Sequence, residues 1–453
     1  MHTARLAEFV VKTSLRDCPD AALAQVRRAA LDSLGVILAG ASEPVAMSVR
    51  AVARAEGGAP LCTVIGTSLR TSPTWASLAN GTAGHAHDFD DTNFALMGHP
   101  SVPLLAATLA AAEAEPADGA AVVLAYLIGF EVSAALGAAL NPAHYTRGWH
   151  ATASIGSIGC AAAACSVLRL DPVQTRHALG LAASLASGLK ENFGSMTKPF
   201  HAGHAARNGV FAAMLAREGL TASDSALEGR QGYAAAFSQT TLAPEAFDGL
   251  GQRWQVLTSG IAIKPYPSCA LTHSAIDALL EVRSRHGLAA DEVAEVTVGV
   301  NHVVPDVLRH HSPTNGLERK FSMQFCAAAA LATGRVDLAS FADGPVADAG
   351  TRELMGRVRM VVDPTLPDGL NEHAWTRVNL RLRDGRTLES GPRGASGHPD
   401  QPLTDAQLRD KFLACAMPII GASEAEGVAT QLTHLEDIPD VRALTARLVT
   451  ARD

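Results

Sequence analysis

Alanine-rich stretches such as Ala106 to Ala114 and Ala161 to Ala164 leave this chain few options other than closely packed helices. Alanine has the best intrinsic helix propensity, and small side chains let helix axes approach. From Leu6 to about Ser259 apolar residues recur at three- and four-residue intervals, broken by short Gly, Pro and Asp punctuation. The run from Leu61 to Ile65 is the exception, a short β-like segment followed by Gly66. At the N-terminus, Met1 to Lys12 has amphipathic helical spacing and is too polar for a signal peptide. The most apolar stretch, Ala120 to Leu140, carries Glu131 at its middle and ends at Asn141-Pro142, so it reads as a buried helix rather than a membrane span.

The texture changes at Lys264-Pro-Tyr-Pro267, where two prolines forbid a continuing helix. After one more helix, Leu271 to His286, alternating strands are expected at Glu295 to Val300, Arg357 to Val362 and Arg377 to Leu382. Asp384-Gly385 followed by Arg386 to Ser390 is the strongest hairpin signal in the chain. A Gly/Pro-rich junction, Gly391 to Pro399, closes this region, and helix resumes at Thr404, which has capping-box spacing to Gln407. The expected fold class is α+β: a large all-helical domain (1–263) interrupted by a smaller α/β lid domain (264–393), with C-terminal helices (394–453) returning to the first.

Within the 453 residues the net charge is −8, and no long Lys/Arg cluster occurs. Nucleic acid and anionic membrane surfaces are therefore not expected as partners, while a small anion in a local basic pocket remains compatible. The seven cysteines are scattered and contain no Cys-x-x-Cys, which points to a reducing, cytoplasmic setting rather than a disulfide framework or a zinc knuckle.

Three polar clusters interrupt the apolar helices. The first holds His85, His87, Asp88, Asp90, Asp91 and His99 within fifteen residues. It offers enough ligands for a metal, yet it matches neither His-Glu-x-x-His nor a regular calcium loop. The second runs from His144 and Tyr145 through Trp149 to His150 and Thr152, just before a helix start, where an imidazole can meet a carboxylate beside free backbone N–H groups. The third, Gly194 to Gly203, contains Lys198 and His201 in an expected loop leading into a helix at Ala205. Only six of the 37 Lys and Arg residues are lysines, so Lys is not the default surface cation here. Lys198 and Lys264, set beside prolines, stand out as ammonium groups open to tuning.

Together these segments resemble the MmgE/PrpD family, which contains 2-methylcitrate dehydratases, cis-aconitate decarboxylases and iminodisuccinate epimerases. The resemblance rests on His87-Asp-Phe-Asp-Asp-Thr92 with His99-Pro100, Gly148-Trp-His150, Met196-Thr-Lys-Pro199 with His201-Ala-Gly203, Lys264-Pro-Tyr-Pro267 with His273, and Phe321-Ser322. It implies a helical domain plus an α/β lid, a homodimer, and a metal- and cofactor-free site in the cleft. Carried over by position, that site draws on Asp88, Thr92, His99, His150, Lys198 and Lys264, with His201 and His273 in substrate binding. Tyr145 is a further candidate through similarity to the epimerase branch.

The expected activity is that of a cofactor-independent lyase, a dehydratase ahead of a decarboxylase, acting next to a carboxylate of a short di- or tricarboxylic acid. Removing a proton beside a carboxylate requires a base within hydrogen-bond reach and cations fixed where the new charge develops. His150 is the expected base and His99 the acid toward the leaving group; Lys198 and Lys264 hold carboxylates, and Asp88 and Thr92 orient them. In decarboxylation the same groups would stabilise and protonate a carbanion. The alternative is an epimerase or racemase of an iminodisuccinate- or aspartate-like acid, with His150 facing Tyr145 or Lys198. A metal-dependent hydrolase using the His/Asp cluster is a remote third.

Overall fold

Apolar residues at helical spacing build a chain that is mostly α-helix in the computed structural model, which describes residues 2–242, 244–342, 344–346, 348–367 and 374–450. By its internal contacts the chain forms two units. Unit 1 comprises Met1–Ala86, Asp90–Ile261 and Thr404–Asp453; unit 2 comprises Ala262–Leu403 together with the tripeptide His87–Phe89.

Unit 1 is a stack of long helices whose middle members, Ser101–Ala114, Gly119–Leu140 and Ala151–Val167, are buried on nearly all sides. A helix that is apolar all round has to be enclosed, and 83% of the most hydrophobic window of Gly119–Leu140 is buried. Small residues set the spacing of the stack. A Cβ on Gly81, in helix Pro73–His85, would lie 2.7 Å from the Gly203 Cα in helix Thr197–Arg217, and one on Gly203 would lie 2.1 Å from the Leu78 carbonyl oxygen. The two backbones touch at this glycine pair. The β-like run near Cys62 forms a two-residue strand, β1 (Cys62–Thr63), antiparallel to β2 (Arg70–Thr71). C-terminal helix Asp405–Ile420, capped by Thr404 with Gln407, packs on helix Asp20–Gly40 through a buried Lys411–Asp32 ion pair at 2.6 Å.

Glu131 interrupts the apolar helix for a structural reason. Fully buried, it accepts hydrogen bonds from the backbone N–H groups of Gln255 (2.7 Å) and Val256 (2.9 Å), closing the N-terminus of the one-turn helix Gln255–Thr258. Burial pushes its carboxyl up to about 7 despite these two bonds. Its titratable neighbour Cys18 is pushed up to about 11, chiefly by its own burial. A folded-state value above the ordinary 4.5 adds stability that is complete at acid pH and is lost as pH rises through about 7. The rise corresponds to roughly 3 kcal/mol. Urea denaturation of the wild type and Glu131→Gln at pH 5, 6, 7 and 8 is expected to show the wild type losing about that much relative to the variant. Parallel curves would refute the assignment.

Unit 2 carries a four-stranded sheet in the order β4-β3-β5-β6, with β3 (Val293–Val300), β4 (Val358–Val362), β5 (Thr376–Leu382) and β6 (Thr387–Arg393). β3 runs parallel to β4 and antiparallel to β5, and the Asp384-Gly385 turn joins β5 to antiparallel β6. Helices His273–His286 and Met323–Thr333 cover the sheet's apolar residues. The first of these begins two residues later than its periodicity suggests, because Ala270–Thr272 forms a 3-10 turn. The junction after β6 stays with unit 2: Ser396 N–H donates to the Asp277 carboxylate at 2.7 Å, and Gly397 abuts the Ile263 carbonyl.

Candidate active site

In unit 1 the glycine contact between helices Pro73–His85 and Thr197–Arg217 sets two polar ends against each other. His85 is the last residue of the first helix and Lys198 the second residue of the other. Lys198 thus lies in a helical first turn rather than in the expected loop. Pro199 caused that misreading: its missing N–H is harmless in a first turn, where the amides have no intrahelical partner. The Lys198 Nζ donates to His85 Nε2 at 3.0 Å, and His85 Nδ1 donates to the fully buried Asp90 carboxylate at 2.8 Å. The ammonium is thereby fixed by an imidazole whose tautomer Asp90 sets, with the Phe193 ring 5.4 Å away.

Three further imidazoles complete the cluster. The His99 ring lies 4.5 Å from that of His85, with Nδ1 on the Asp91 carbonyl at 2.8 Å and its backbone N–H on Thr152 Oγ1. His150 stands at the N-cap position of helix Ala151–Val167 without a capping bond from its side chain, its ring 6.0 Å from both His85 and His99, and its Nδ1 is 3.1 Å from His201 Nδ1. Burial first, and then the neighbouring Lys198 ammonium, hold His150 well below the ordinary imidazole range, and His201 is lowered to about 4, mainly by burial. Both rings are neutral at physiological pH. Beneath them Asp91 accepts from the Ser101 hydroxyl at 2.5 Å and backbone at 3.2 Å, and burial pushes its carboxyl up to about 8. Thr92 has a buried hydroxyl with no hydrogen-bond partner among the described residues, which suits a group reserved for a ligand.

The structure therefore joins His99, His150, Lys198 and His201 around His85. Tyr145 has another setting: its ring lies under the Lys190 ammonium, 3.5 Å from the centroid, and its carbonyl accepts from the same Nζ. Asp88, Lys264 and His273 belong to unit 2. There Lys264 Nζ donates to both the carbonyl and a carboxylate oxygen of Asp88 at 2.8 Å, holding that residue in a left-handed conformation (φ 51°). His273 opens helix His273–His286 with Nε2 on the Ser268 carbonyl at 3.2 Å.

The MmgE/PrpD N-terminal domain model matches residues 4–245, and the C-terminal domain model matches residues 266–437. This chain belongs to the MmgE/PrpD family. It is 30% identical over 444 residues to a cis-aconitate decarboxylase of Mus musculus, covering 95% of this chain and 89% of that protein. The Homo sapiens cis-aconitate decarboxylase is 29% identical over 441 residues (95% and 90%), and one from Aspergillus terreus is 23% identical over 466 residues (98% and 94%). The chain is an enzyme of the MmgE/PrpD type.

Sequence reasoning did not place His85 and Asp90 among the site residues of this MmgE/PrpD enzyme, although both lie in its first polar cluster. Their importance comes from Lys198, 113 residues away in sequence. Lys320 was also missed, and here a signal existed: it is one of only six lysines. Buried beside the Phe341 ring, its Nζ donates to the His87 carbonyl at 2.7 Å and the Pro267 carbonyl at 3.2 Å. With Lys264 it fixes both ends of the His87-Asp88 unit, a structural role. Lys320→Met leaves two buried carbonyls short of a donor and is expected to cost about 2–4 kcal/mol. A thermal midpoint unchanged within a degree would remove it from this role.

Proposed function

We propose that this enzyme is a cofactor-independent lyase that decarboxylates a short tricarboxylic acid of the cis-aconitate type. The observation that carries the reading is the Lys198 ammonium, buried and aimed by the Asp90–His85 pair beside two more imidazoles. When the C–C bond to a carboxylate breaks, its electron pair stays on carbon and spreads through an adjacent double bond toward a second carboxylate. A fixed cation in a buried site stabilises that charge far better than water does. Lys198 supplies the cation and the proton that quenches the carbanion, and one proton is taken up from solvent per carbon dioxide released. His99 and His150 orient the remaining carboxylates, and Thr92 donates its hydroxyl.

The sequence expectation sets dehydration ahead, with the same residues able to serve either reaction; decarboxylation takes first place because the curated relatives carry that activity in their names. Epimerisation has no comparable support. The expected setting is the cytoplasm, with six of the seven cysteines buried, and the homodimer is what the family resemblance implies. The test is incubation with cis-aconitate, 2-methylcitrate, malate and aspartate in heavy water, followed by NMR and carbon dioxide measurement. Stoichiometric carbon dioxide with one deuterium in the product is expected from cis-aconitate. Loss of water without carbon dioxide, or deuterium exchange without net conversion, would overturn the reading.

A further inference from the structure

His85, His99 and His150 are all buried, and one ring nitrogen of each lies within 4.8 Å of one on each of the others. Three imidazoles at that separation need only small adjustments to meet a common ion. Each also has its Nδ1 engaged by a second group: the Asp90 carboxylate for His85, the Asp91 carbonyl for His99 and His201 for His150. Metal-binding histidines use such outer partners, a carboxylate above all, to fix the ring and raise its basicity, which assigns ligation to Nε2. Nitrogen donors select zinc, cobalt or nickel over magnesium or calcium. Against a resident metal stands Lys198, whose ammonium already occupies His85 Nε2 at 3.0 Å. A dication can enter only if that ammonium withdraws or gives up its proton.

We propose that His85, His99 and His150 form a latent site for a divalent transition-metal ion such as Zn2+, in which the ion displaces Lys198 and thereby inhibits the enzyme. Metal and ammonium are alternative occupants of one place. The inhibitory consequence rests on the lyase reading above; the binding itself does not.

The experiment is titration of chelator-treated full-length protein with Co2+, read by visible absorbance without substrate. One Co2+ per chain is expected to give the intense band of a four- or five-coordinate site, and Zn2+ is expected to displace it. The band should vanish in His99→Ala and in His150→Ala, with His99→Gln as the milder variant if alanine impairs folding, and persist in His311→Ala, an exposed histidine of unit 2. In Lys198→Met, removal of the competing charge should tighten binding at least tenfold, the effect of a like charge a few ångströms away. A pale six-coordinate spectrum, or a band surviving both histidine variants, would overturn the site. With turnover as readout, excess Zn2+ should inhibit and a chelator restore activity; activity that is lost on chelation would overturn the inhibitory role. Failure of cis-aconitate turnover leaves the absorbance result standing, so the two readings fail separately.

Discussion

Replacing Lys198 by methionine is expected to lower kcat about a thousandfold while leaving the fold intact, because it removes the one ammonium that the Asp90–His85 pair holds in the buried cluster. Loss of a single preorganised charge-stabilising donor costs two to three orders of magnitude in comparable sites. Methionine fills the same volume, so helix Thr197–Arg217 should keep its place. Lys198→Arg retains charge but not shape and is expected to recover little, since a planar guanidinium does not fit a point contact to an imidazole nitrogen. Asp90→Asn adds a second check: without the carboxylate, His85 no longer has one enforced tautomer, and a loss of about a hundredfold in kcat is expected. Steady-state kinetics on the cis-aconitate-type substrate decides the matter. Retention of more than a tenth of kcat in Lys198→Met would exclude it from the chemistry.

Gly203→Ala should damage stability and catalysis together. The added Cβ would lie 2.1 Å from the Leu78 carbonyl oxygen and 2.3 Å from Thr82 Oγ1, so a backbone has to move. Overpacking of this kind costs about 3 kcal/mol or more. Because Lys198 and His201 ride on the displaced helix and His85 on its partner, kcat is expected to fall about a hundredfold in the protein that remains folded. Gly391→Ala is the control, since nothing lies within 4 Å of its added Cβ. Thermal unfolding and kcat measured on both variants test the pair. An active, stable Gly203→Ala would mean that the helix contact does not set the Lys198–His85 distance.

Much of this architecture is visible in local sequence, because helices, the Asp384-Gly385 hairpin and the Thr404 cap are decided by neighbours in the chain. The same locality made Glu131 legible as a buried polar interruption, though its partners at Gln255 and Val256 were not. The site was legible in residue type and less so in arrangement. His150 at a helix start and Lys198 among few lysines announce themselves, whereas His85 becomes notable only once two glycines bring distant helices into contact. Lys264 shows the converse: its lysine type and its prolines single it out in the sequence, but nothing there names the Asp88 carboxylate against which it lies. Its partner is chosen by tertiary packing, which no spacing rule encodes.

The tripeptide His87–Phe89 also decides how this protein can be recombined. Lys264 reaches Asp88 across 176 residues and Lys320 reaches His87 across 233. A fragment or graft made of residues 262–403 carries both buried ammonium groups but leaves behind the carboxylate and two carbonyls that neutralise and seat them, a costly state for a buried cation. Exchanging this region between relatives therefore transfers a module that stays incomplete until the recipient supplies a matching tripeptide from far upstream.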